Sequence, residues 1–231
     1  YDIEPNANGG SNFIGDSGVL SFNPDIDFTS YRTLETVELD TTLNNLVSDE
    51  DLNNQYVDKM NDILDSIGVH HFAPAFCAKY GNGNTGFFYE IACQPIIEGL
   101  PIVNSGAQPT SIEEVPPYEE VRACIGEDGQ LLLLNFRSSQ IEEESRQEVK
   151  VISLEDALNI LRQEGMAVLS RALSDAQSLT VQMINLAYAH LPQDGGFVLT
   201  PIWMFGLERV DQEGNISSVT FAVNAITGKI V

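Results

Sequence analysis

Basic side chains are scarce in this chain: 11 Lys and Arg stand against 34 Asp and Glu, a formal net charge of −23 and a pI near 4.1. A field of that sign repels phosphate backbones and anionic lipid headgroups, which argues against nucleic-acid and membrane-surface binding. Cysteine is nearly absent. Cys77, Cys93 and Cys124 are too few and too irregularly spaced for a disulfide framework or a zinc site. A single Cys77–Cys93 bridge across adjacent strands remains open, and three small buried thiols are the favoured expectation. No apolar run reaches the 18 residues that a membrane-spanning helix needs. The first residues, Tyr1 to Asn12, are polar and turn-forming, with neither an initiator Met nor an export signal. A mature chain whose export segment and tether precede Tyr1 is therefore expected.

Histidine is equally sparse, at His70, His71 and His190. Nucleophilic catalysis needs an imidazole oriented by an acid and set beside a Ser or Cys. Adjacent residues on a strand face opposite sides, so His70 and His71 cannot serve one site. No nucleophile elbow, zincin motif or paired-cysteine motif is present. Gly81-Asn-Gly83-Asn-Thr-Gly86 matches a dinucleotide-binding glycine pattern, but it runs into Phe87-Phe88-Tyr89, which is strand. No helix terminus is then available to receive a pyrophosphate. Asp25 with Asp27, and Asp211 to Asn215, resemble fragments of calcium loops without the complete ligand set. Carboxylates are so numerous that pairing two as acid and base carries no information. No catalytic residue, cofactor or metal site is assigned.

The remaining 43% hydrophobic content of the 231 residues is ample for a packed core, in one large or two small domains. Residues 1–30 read as loop, and Tyr31 to Leu39 as an edge strand. A helix is expected from Asp49 to Ile67. Ser48 and Asp51 form its capping box, Leu52, Tyr56, Met60, Ile63, Leu64 and Ile67 its apolar stripe, and Gly68 its C-cap. His70 to Lys79 is ambiguous around Pro74, and Gly86 to Gln94 is a strand continuing toward Ile102. Val121 to Arg137 is a hairpin turning at Gly126 to Gly129. Ser153 with Asp156 caps a second helix that buries Leu154, Ala157, Leu158 and Leu161. Strands Leu179–His190, Phe197–Val210 and Ile216–Ile226 follow, the last two joined at Asp211 to Asn215.

This pattern predicts an α+β fold: antiparallel sheets, each packed by a helix, in two related halves spaced by an internal duplication of about 110 residues. The expected organisation is an irregular segment 1–46, a first half 47–137, a connector 138–150 and a second half 151–231. Tyr188, Trp203 and Phe205 in the last strands are the candidate partner-binding residues, as rings that could line a groove.

Leu199-Thr-Pro-Ile-Trp-Met-Phe205, a turn, then Phe221-Ala-Val-Asn-Ala-Ile-Thr-Gly228 is similar to the YycH/YycI regulatory proteins and the wider PepSY-like group. Ile152 to Leu158 resembles the helix opening before that unit. Glu98 to Ile102 with the 121–137 hairpin resembles its middle. The resemblance is strongest over 151–231 and departs in the chain's acidity and missing membrane helix. It implies extracytoplasmic, lipoprotein-like or membrane-tethered domains of Gram-positive bacteria that bind other proteins in the cell envelope and have no catalytic residues. The expectation is a non-enzymatic, secreted or cell-surface protein-binding or regulatory module. A carboxylate-dependent hydrolase acting on glycans and a calcium-dependent adhesion or structural domain are the alternatives.

Overall fold

The computed structural model describes residues 2–5, 10–23, 28–33, 44–45, 54–82, 86–103, 119–137, 146–165, 176–194 and 196–231. The chain divides into two compact units, Tyr1–Ile96 with Tyr118–Ile141, and Ile97–Pro117 with Glu142–Val231.

In the first unit, β1 (Asp2–Pro5), β2 (Ser11–Ile14), β3 (Gly18–Asn23) and β4 (Phe28–Thr33) form an antiparallel meander. After the two-residue β5 (Asn44–Asn45) comes α1 (Asn54–Ser66), then the hairpin of β6 (Phe72–Asn82) and β7 (Gly86–Ile97). A second hairpin, β9 (Glu120–Gly126) with β10 (Leu131–Arg137), lies between β7 and β4. Helix α1 lays Tyr56, Met60 and Leu64 on one sheet face, against Phe72, Cys77, Ile91, Cys93, Val121, Ala123, Ile125 and Leu134. It ends where expected. Gly68 adopts φ +72°, its N–H donates to Asp65, and Val69 N–H reaches back to the Leu64 carbonyl. The Leu64 and Val69 side chains meet in the same core. Ile67, read into the apolar stripe, is instead exposed. Ser48, Asp51 and Leu52 lie outside the described residues.

In the second unit, β8 (Leu100–Val103) follows a turn in which Glu98 and Gly99 take positive φ. Helix α2 (Leu154–Ile160) runs directly into a π-helical turn, Leu161–Gly165. Then β11 (Ala176–Gln193), β12 (Gly196–Asp211) and β13 (Ile216–Asn224) form a long antiparallel meander, and β8 pairs parallel to β11 at Tyr188 and Ala189. The expected cap of α2 is present: Ser153 Oγ accepts from Asp156 N–H at 3.1 Å and donates to the Asp156 carboxylate at 2.7 Å. Ala157 and Leu161 are buried against Phe205, Leu207, Phe221 and Val223, whereas Leu154, expected on that face, is exposed. The opposite sheet face packs Ala187, Ala189, Ile202 and Ala222 against Val103, Leu191, Met204 and Val231.

The expected balanced α+β architecture is overturned. Strands hold 63% of the described residues, against one helix of 13 residues and one of seven with its π turn. Part of the excess comes from residues 1–30, expected as loop, which supply β1, β2, β3 and the start of β4. Their strands are short and lack sustained apolar alternation, and where β3 does alternate, its Leu20 and Phe22 face solvent. Neighbouring backbone and cross-strand bonds such as Ser21 Oγ to Asn12 Oδ1 hold them instead. Nor is β4 an edge, since it lies between β3 and β10. The ambiguous stretch around Pro74 is a full strand that absorbs the proline at a bulge between Pro74 and Phe76.

Candidate functional site

The strand register settles where the three candidate rings point. Tyr188 lies opposite Pro201, Leu186 opposite Trp203 and Ile184 opposite Phe205, so all three rings share the sheet face that carries α2. Phe205 is 0% exposed and forms the centre of the α2 core. Trp203 packs against that core, and its Nε1–H donates to the Ile152 carbonyl at 3.1 Å. The Ile152 N–H in turn donates to Ala225, so the segment leading into α2 is pinned on both sides. Tyr188 is half-buried. The structure therefore brings the three onto one face, with Phe205 as a packing group and Trp203 as an anchoring one.

The other chemistry-bearing residues are dispersed. His70 meets Asp65 at 3.2 Å on an exposed surface, and His71 lies beside Phe72. The three cysteines are buried and free. Burial raises the Cys77 thiol and pushes Cys93 and Cys124 up to about 12, so all stay protonated and unreactive near neutrality. Register sets Cys77 opposite Ile91 and Cys93 opposite Pro74. Gly81 lies in β6 and Gly86 opens β7, its antiparallel partner, and residues 83–85 between them lie outside the described residues. Asp25 and Asp27 also lie outside them. Asp211 is engaged locally: its carboxylate accepts from Glu213 N–H, Asn215 N–H and Asn215 Nδ2 at 2.8–2.9 Å. Among the described residues no group of three metal-ligating side chains converges.

Charged and aromatic groups in the first unit also satisfy one another. Arg122 bridges Glu90 at 3.1 Å and Glu120 at 2.9 Å. Tyr56 stacks on Tyr89 with ring centroids 3.8 Å apart. Burial, then the hydrogen bond with Tyr89, pushes the Tyr56 hydroxyl up to about 12.

A different feature stands out in the second unit. β11 has no Asp, Glu, Lys or Arg in its 18 residues, the longest such stretch in the chain. One side of it pairs with β12 along its length. On the other side, β8 covers only Tyr188 and Ala189. Among the described residues, 176–187 has no strand on that side, and Val181, Met183 and Ile184 are 42%, 42% and 36% exposed. The first unit's outer strand β1, by contrast, carries Asp2, Glu4 and Pro5, the usual protection of a sheet edge. A bulge between Val181 and Met183 shifts the side-chain alternation of β11. Leu179 and Val181 on one side of it, and Ile184, Leu186 and Tyr188 on the other, thereby all face α2. Met183 turns to the far face over Gly206, where a methyl group would lie 3.2 Å from its Cβ.

Beside this edge, Leu158, Leu161, Arg162, Leu179, Val181 and Leu207 line a pocket of about 190 Å³. The π turn sets Leu161 and Arg162 at its wall. Such turns are frequent where a helix is adapted to a site. Arg162 is exposed and takes part in no ion pair among the described residues. Sequence reasoning passed over this site because it weighed reactive groups. The charge-free run was the available signal.

No protein-family model and no curated protein matches the chain. Among solved structures, it is similar to an uncharacterized protein from Eubacterium rectale. That likeness has a TM-score of 0.64 at 9% identity and covers 100% of this chain and 75% of the other. At that identity the likeness concerns the fold alone. The comparisons lend no support to membership of the YycH/YycI or PepSY-like group.

Proposed function

We propose that this chain is a non-enzymatic protein-binding module acting outside the cytoplasm, and that its contact runs along the open edge of β11. One observation carries the reading: a long, uncharged strand in an otherwise highly acidic chain has, among the described residues, an uncovered side next to an apolar pocket. Unpaired strand edges offer rows of N–H and C=O groups to another chain, and proteins that do not use them blunt them with charge or proline. Here β1 is blunted, whereas β11 and the outer strand β13 are not, and of these two it is β11 that lines the pocket. Placement outside the cytoplasm is supported by the resemblance over 151–231.

The test is site-specific photo-crosslinking in intact cells. A photoreactive side chain at Thr180 on β11 is compared with one at Glu4 on β1. Discrete protein adducts are expected from Thr180 only, and they should disappear when Val181→Lys is added. Equal labelling at both edges, or none at Thr180, would remove the basis for the proposal.

A further inference from the structure

Resting on that reading, we infer that the β11 edge and its pocket form one receptor for the extended C-terminal segment of a partner protein. The segment's last side chain is aliphatic, and its terminal carboxylate pairs with Arg162. A strand added beside β11 would run about 4.8 Å from it and present every second side chain to the face that carries α2. The pocket opens on that same face, between the helix with its π turn and residues Leu179 and Val181. At about 190 Å³ it suits a single aliphatic side chain, since cofactor and drug-sized sites run to roughly 300–1,000 Å³. Five of its six lining residues are aliphatic, and the sixth is Arg162.

Charge selects the occupant. Two copies of a chain carrying −23 repel each other, which disfavours self-pairing along this edge. A short foreign segment carries no comparable net charge, so the same repulsion does not keep it from the uncharged strand. The pocket's own charged group is a cation without an acidic partner among the described residues. In a chain with three acids for each base, Arg122 and Arg146 are matched by Glu90 with Glu120 and by Glu98. A guanidinium left unmatched beside an apolar pocket has the geometry to hold a carboxylate through two parallel hydrogen bonds.

A display library of random octapeptides with free C-termini, selected against the whole protein, tests this. Selected sequences are expected to end in Val, Leu or Ile and to favour β-branched residues upstream. A synthetic winner should bind about tenfold more tightly as the free acid than as the amide, the scale of one charge-assisted contact. In Arg162→Gln the acid and the amide should bind alike, whereas in Val181→Lys neither should bind. Both positions are exposed, so both variants should unfold thermally much as the parent does. Convergence on no sequence, or winners indifferent to amidation and to Arg162→Gln, would overturn the inference. So would a dimer in sedimentation that Val181→Lys dissociates, which would assign the edge to a second copy. If Thr180 crosslinks to an internal segment of a partner, the binding-module reading stands and the terminal-carboxylate claim falls.

Discussion

The Asp211 carboxylate organises the turn between β12 and β13. Its hydrogen bonds, first to the Asn215 side chain and then to backbone N–H groups, hold its pKa below the ordinary 3.8. Gly214 completes the turn at φ +85°. Because the folded pKa is depressed, the ionised form contributes stability above the unfolded value, and that contribution is lost as pH falls through the folded one. Asp211→Ala is therefore expected to lower Tm at pH 7, and the gap to the parent should narrow as pH drops below about 4. Thermal scans across that range check it; a gap that stays constant would mean the bonds do not depend on ionisation. The position of this turn was legible from the Asp211-to-Asn215 composition, and so was the resemblance to a calcium-loop fragment. That the acid already serves its own turn was not legible, because hydrogen-bond partners depend on backbone conformation. Asn224 organises the last turn in the same way: its Oδ1 accepts from the N–H groups of Ile226 and Thr227, ahead of Gly228 at φ +72°.

Elements with strong local signals were legible. Helix α2 announced itself through Ser153 and Asp156, and the 121–137 hairpin through Gly126 and Gly129, which is at φ +79°. Less legible was how α2 ends. Its continuation as a π turn to Gly165 is decided by what lies beneath it. A methyl group on Gly165 would sit 2.8 Å from Phe221 Cζ and 2.9 Å from Leu161 Cδ1. Gly165→Ala is accordingly expected to cost about 1–3 kcal/mol through overpacking. Adding Phe221→Leu should recover part of that loss, a coupling that a double-mutant cycle from urea denaturation would show. Additive losses would place the damage elsewhere. The same turn sets Arg162 against the pocket, so a Gly165 substitution should also weaken any peptide found for β11. The bulge at Val181–Met183 was invisible for a related reason. One inserted residue reverses alternation without leaving a composition mark, and only pairing with Leu207 and Gly206 shows it.

For the whole molecule, the net charge of −23 implies a compact state that works against its own repulsion. Raising salt from about 0.01 M to about 0.15 M shortens the screening length from about 30 Å to about 8 Å. Tm should rise in parallel, equally for NaCl and KCl. A further rise with calcium at matched ionic strength would instead reveal a cation site. Sequence alone determined the acidity, the absence of a long apolar run, the cap of α2 and most strand positions from Gly86 onward. These follow from composition and from contacts between near neighbours along the chain. Tertiary structure decided, among the described residues, that strands outweigh helices, that Phe205 is core while Trp203 anchors Ile152, and that β11 keeps one side open next to a pocket. Each depends on which distant segments pair and which do not, and strand pairing is a relation between segments that no single stretch of residues encodes.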